Sequence, residues 1–144
     1  MKVVINTCYG GFGLSPKGLK RYLELKGQKA WFYVQTKYEH CDGEDVYQLM
    51  DAEDVTSLFW SCSLKNQGDE IDDYPEQCFS IGSIERNDPT LIQVVEELGD
   101  ECCSVYSRLS IVDIEPGTWY KITEYDGYES IEYRDFNNEW LLAE

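Results

Sequence analysis

Tyr9–Gly10–Gly11–Phe12–Gly13 interleaves two aromatic rings with three glycines. Glycine lets a backbone adopt positive φ and lets a ligand approach main-chain N–H groups without a Cβ in the way. Rings on an exposed turn are stacking surfaces for a nucleobase. Ser15 and Pro16 come next as an N-cap and a first helical residue, and a helix start presents unpaired N–H groups and partial positive charge to an anion. The spacing matches neither the phosphate-binding G-x-x-x-x-G-K-[ST] loop nor the G-x-G-x-x-G fingerprint. A turn that is merely tight accounts for the glycines equally well.

A second constellation is Ile84–Glu85–Arg86–Asn87–Asp88–Pro89. Arg86 is one of only 12 basic residues and, with Asn87, precedes another helix start. A guanidinium there can hold phosphate with two parallel hydrogen bonds. Its alternative is a local ion pair with Glu85 or Asp88. Tyr125 and Tyr128 lie beside a hairpin turn, which can cover a pocket, join an interface or stand in solvent, and Tyr125 is the site candidate of the two.

Catalytic signatures are missing. The one histidine is His40, there is no serine–histidine or cysteine–histidine pattern, and carboxylates are too numerous for a pair of them to mean anything. The expectation is a protein that is not an enzyme and uses no cofactor. The six cysteines are Cys8, Cys41, Cys62, Cys78, Cys102 and Cys103, with no C-x-x-C pair. His40 and Cys41 offer soft metal ligands, but adjacent residues fit one tetrahedral ion badly, and buried thiols acting as small hydrophobes are the better reading. No apolar run approaches the ~20 residues of a membrane-spanning helix, and the first residues read as a strand rather than a secretion signal. A reducing compartment, free thiols and no membrane partner are expected.

With 28 acidic residues against 12 basic, the net charge is −16. Phosphate backbones repel such a chain, which excludes a nucleic-acid polymer as partner. The acidity serves either solubility or mimicry of nucleic-acid charge to block a host enzyme. Eleven tyrosines and four tryptophans exceed what one small core readily buries, so self-association into a homo-oligomer is expected.

The elements that must position these residues are legible from pattern. Lys2–Cys8 is a β-branched run and reads as a buried strand. Leu19, Tyr22 and Leu23 share one face of the first helix, which Gly27 ends. Lys29–Tyr38 and Val55–Ser63 read as strands, with a short helix around Asp45–Ala52. Leu64–Gln77 is an acidic loop of a length that is often functional or mobile, and Cys78–Ser83 reads as a short strand. Asp88–Pro89 starts a second helix carrying Leu91, Val94, Val95 and Leu98, which Gly99 stops. Val105–Ile114 alternates as a strand, and Asp126–Gly127 joins Trp119–Tyr125 to Tyr128–Arg134 as a type I′ hairpin. The length of 144 residues suits one domain, residues 1–144, of the α+β class: a mostly antiparallel sheet packed with two main helices.

Three blocks, MKVVINTCYGGFGLSPKG, IERNDPTLIQVVEELG and IVDIEPGTWYKITEYDGYE, cover about a third of the chain. Together they resemble a family of small phage-encoded proteins. That family is similar to the anti-CBASS sponges, which sequester cyclic dinucleotides such as 3′,3′-cGAMP and act without catalysis in the cytoplasm of the infected bacterium. Related logic holds for sponges that counter Thoeris defence. The resemblance implies a cyclic nucleotide ligand, often an oligomer, and a binding site at Tyr9, Gly10, Gly11, Phe12, Arg86 and Asn87, with Tyr125.

Overall fold

Residues 1–37, 45–134 and 141–144 are described by the computed structural model. Among these residues, nine strands and two α-helices, with every sheet antiparallel, place the chain in the α+β class. They are distributed over two compact units, one formed by Met1–Gly18 with Ile81–Glu144, the other by Leu19–Ser80. The boundary between them falls inside the first helix, α1 (Pro16–Leu25).

In the first unit, β1 (Lys2–Asn6) pairs with β6 (Leu109–Asp113), with Val4 opposite Ile111. Val3, Val4, Ile5 and Asn6 are buried in succession, as the β-branched run requires. Helix α2 (Pro89–Leu98) starts as expected: the Asp88 carboxylate accepts the amide of Thr90 at 2.8 Å, and Pro89 needs no hydrogen-bond partner. It buries Leu91, Val94 and Val95 and ends at Gly99. A second sheet holds β7 (Trp119–Tyr125) between β8 (Tyr128–Arg134) and β9 (Leu141–Leu142). Val3, Ile5, Ile114, Tyr120 and Ala143 form a core shared by these elements.

Asp126 and Gly127 both have positive φ, 50° and 86°, so the β7–β8 turn has the type I′ geometry that its Asp-Gly dipeptide favours. Sequence alternation places the start of β6 too early. Val105 and Tyr106 are exposed, and pairing with β1 begins only at Leu109.

In the second unit, β4 (Trp60–Ser63), β2 (Trp31–Lys37), β3 (Val46–Met50) and β5 (Glu70–Ile71) form one sheet in that order. Strand β3 replaces the short helix expected around Asp45–Ala52. Pairing with β2 on one side and β5 on the other satisfies its backbone, and only Ala52–Asp54 makes a single 3₁₀ turn. Cys78–Ser83 is likewise not a strand: Cys78 makes one bridge to Ser63, and Ile81–Ser83 is a 3₁₀ turn. The acidic loop after β4 is pinned rather than loose. Ser63 Oγ donates to the carbonyl of Glu76, and Tyr33 Oη donates to Gly68 O at 2.9 Å while accepting from Gln67 N at 2.8 Å.

Five described cysteines are free thiols, with Cys62 and Cys102 buried. His40, Cys41 and the end of the predicted strand at Tyr38 lie outside the described residues. Among the described residues no helix is long and apolar enough to cross a membrane, and no group of side chains is arranged to hold a metal ion.

Candidate functional site

Strand β1 ends at Asn6, whose buried side-chain amide ties three segments together. Asn6 Nδ2 donates to the carbonyls of Cys8 and Gly127, both at 2.8 Å, and Asn6 Oδ1 accepts the amide of Arg108 at 2.9 Å. Every polar atom of the side chain is used, so one asparagine joins the glycine turn, the β7–β8 hairpin and the entry to β6.

The hairpin tip is seated on the glycine turn. Gly10 N donates to Asp126 O at 3.2 Å, and a Cβ at Gly127 would collide with the backbone nitrogens of Gly10 and Gly11. Gly10 itself has φ 133°, and a Cβ there would strike Tyr106. Close approach at this turn is thus made by the protein's own hairpin, which takes up the Gly10 amide. The first turn of α1 is occupied as well. Ser15 Oγ accepts from Gly18 N at 3.0 Å, the N-cap bond expected from the sequence, and donates to Glu101 O.

Arg86 and Phe12 are brought together. The guanidinium lies 3.8 Å from the centre of the Phe12 ring, a cation–π contact. Its expected local partners, Glu85 and Asp88, are not the ones it takes. Arg86 Nη1 and Nη2 donate to the two carboxylate oxygens of Glu129, the Nη2 bond being 2.8 Å, and Glu129 is 7% exposed. Glu129 lies on β8, 43 residues along the chain, beyond any local reading. The fork that would grip a phosphate is filled by a carboxylate.

Tyrosines remain open. The rings of Tyr9 and Tyr128 are 5.3 Å apart and tilted by 42°. Tyr128 stands directly opposite Tyr125 in the β7–β8 register. Tyr9 is 60% and Tyr125 79% exposed, and Tyr106, against Gly10, is exposed too. Sequence reasoning missed Tyr106, and it placed Tyr128 beside the hairpin turn without counting it among the site residues. It also missed Arg108, an exposed arginine with no ion pair among the described residues, whose backbone carbonyl accepts from Thr7 N at 2.7 Å. Its scarcity as one of 12 basic residues was the available signal, but no helix start adjoins it.

Asn87 lies elsewhere. With Arg86 it lines an open cavity of about 450 Å³ built on Ile84, Tyr120 and Ile122 and bordered by β9. The expected site residues therefore divide: Tyr9, Gly10, Gly11 and Tyr125 gather at the hairpin tip, Asn87 lines the cavity, and Arg86 with Phe12 links the two. Comparison with models of known protein families, with curated proteins and with solved structures finds no match to this chain.

Proposed function

We propose that this chain is a non-catalytic binding protein that sequesters a cyclic nucleotide signal, such as 3′,3′-cGAMP, in the cytoplasm of an infected bacterium and so keeps a defence effector inactive. The observation that carries the reading is the paired, exposed rings of Tyr9 and Tyr128, with Tyr125 across the hairpin, on a backbone fixed by Asn6. Base–aromatic stacking contributes about 1–3 kcal/mol per base, and a cyclic dinucleotide presents two bases. With Arg86 held by Glu129, the guanidinium of Arg108 is the better candidate for the phosphodiester. The likeness of the three sequence blocks to phage sponges supports the same reading, and sequestration needs no general base. A homo-oligomer would multiply such tyrosine platforms.

The test is retention of labelled 3′,3′-cGAMP by the purified protein on a filter that passes free ligand, followed by heat release. The expected result is saturable retention, release of intact ligand, and loss of retention in Tyr9→Ala and Tyr128→Ala. Free passage of cyclic mono-, di- and trinucleotides alike, or release of a cleaved product, overturns it.

A further inference from the structure

The 450 Å³ cavity next to Asn87 is a second place where the molecule is built to receive something. Its volume lies in the range typical of small-molecule sites. Met1, Ile122 and Leu142 give it apolar walls, and Leu142 is exposed on β9 although apolar. Tyr120 supplies the informative feature. This residue lines the cavity, is only 5% exposed, and its hydroxyl has no hydrogen-bond partner among the described residues. Buried hydroxyls are nearly always paired, so an orphan on a cavity wall points to a ligand atom.

The cations at the cavity already have carboxylate partners. Arg86 is paired with Glu129, and the Met1 ammonium donates to Ile114 O at 2.8 Å and pairs with Asp113 Oδ1 at 3.5 Å. Glu85 and Glu144 line the cavity with no ion pair among the described residues, and Asn87 adds a carbonyl acceptor. Tyrosine oxygen, carboxylate and amide oxygen can all accept from a protonated amine. A net charge of −16 raises the local concentration of such cations.

We infer that this cavity is a binding site for a small organic cation, a protonated amine on an apolar body, with the ammonium held by Glu85 and the Tyr120 hydroxyl and the body lying on Ile122 and Leu142. This site is separate from the tyrosine tip and does not depend on the nucleotide reading.

Titration of the full chain with hexylammonium, hexanol and hexanoate, followed by amide NMR shifts, tests it. Hexylammonium is expected to shift the amides of Asn87, Ile122 and Leu142 saturably and to bind roughly tenfold more tightly than hexanol, the ratio a charge-assisted hydrogen bond supplies. Hexanoate is expected to bind worst. Glu85→Gln, an exposed position, should remove most of the preference for the amine and leave hexanol unchanged. Tyr120→Phe should weaken the amine and leave the free protein as stable as before, since no hydrogen bond is lost. Equal binding of the three probes, shifts that map elsewhere, or a destabilised Tyr120→Phe protein each overturn the assignment.

Discussion

Glu129 takes both Nη donors of Arg86 and, through the same carboxylate, the backbone amide of Asn6 at 2.7 Å. One acidic residue on β8 therefore fixes the end of β1 and the segment leading into α2. It sits where Arg86 also covers a face of Phe12 and where Arg86 O accepts from Val4 N at 2.8 Å. The pair is the keystone under the hairpin tip, and the tyrosines above it inherit their geometry from it.

Removing Glu129 leaves the part-buried guanidinium of Arg86 without its counter-ion and the Asn6 amide without its acceptor. Glu129→Ala should lower unfolding free energy by about 3 kcal/mol, the lower end for a buried pair because Arg86 keeps some contact with solvent. The double variant Arg86→Met/Glu129→Leu should lose less than Glu129→Ala alone, because no charge is then left uncompensated and only the Asn6 amide and the weakly bonded Val4 carbonyl lose partners. Urea denaturation of the three proteins checks the order. A double variant no better than the single one would mean that the pair stabilises beyond its own desolvation.

Gly117 and Gly127 offer a matched comparison. Their φ angles are 85° and 86°, but a Cβ at Gly117 meets open space whereas one at Gly127 strikes Gly10 and Gly11. Gly117→Ala should cost about 1–2 kcal/mol, the ordinary left-handed penalty. Gly127→Ala should cost clearly more, because the hairpin must lift off the glycine turn. Equal shifts in denaturation midpoint would show that the tip is not seated there.

Much of this frame is legible in local sequence. Ser15–Pro16 and Asp88–Pro89 announce both helices through backbone chemistry, and Asp126–Gly127 announces the hairpin, because those signals act within a few residues. The pairing of Arg86 with Glu129 is not legible, since 43 residues separate them and a closer acid stands on each side. Val46–Met50 misleads because its partners are other strands: Tyr47 lies opposite Gln35 on β2 and Ile71 on β5. The glycine turn stands out in sequence, but its role differs from the one expected. Its closest guest is Gly127, which only the fold could reveal.

Tyr9 and Phe12 look alike in sequence and should behave differently. Phe12 is half-buried under Arg86, while Tyr9 is exposed and touches Tyr128. Tyr9→Ala should cost no more than about 1.5 kcal/mol, the scale of an aromatic pair, and still abolish nucleotide retention. Phe12→Ala should destabilise more, so its loss of binding would report folding as much as contact. Thermal melts beside filter retention separate the two. Retention unchanged in Tyr9→Ala would move the ligand away from the tip.

The buried thiols make the protein sensitive to alkali. Burial pushes Cys62 from 9.0 up to about 12, helped by Cys78 nearby, and burial with the neighbouring Cys103 does the same to Cys102. Only thiolates attack disulfide reagents, so at pH 8 both should be silent in the native protein and react on denaturation. The sign of the linkage comes from proton counting. Between pH 9 and about 12 the unfolded chain has released these protons and the folded one has kept them. Stability is therefore full below pH 9 and falls as pH rises across that window. Tyr47 and Tyr120, whose phenols burial also raises from 10.0, act in the same direction. Urea midpoints measured from pH 8 to 11 should decline, and the decline should be shallower in Cys62→Ala/Cys102→Ala. An identical slope in that variant would place the alkaline loss on the tyrosines and on Cys78, whose thiol burial also raises.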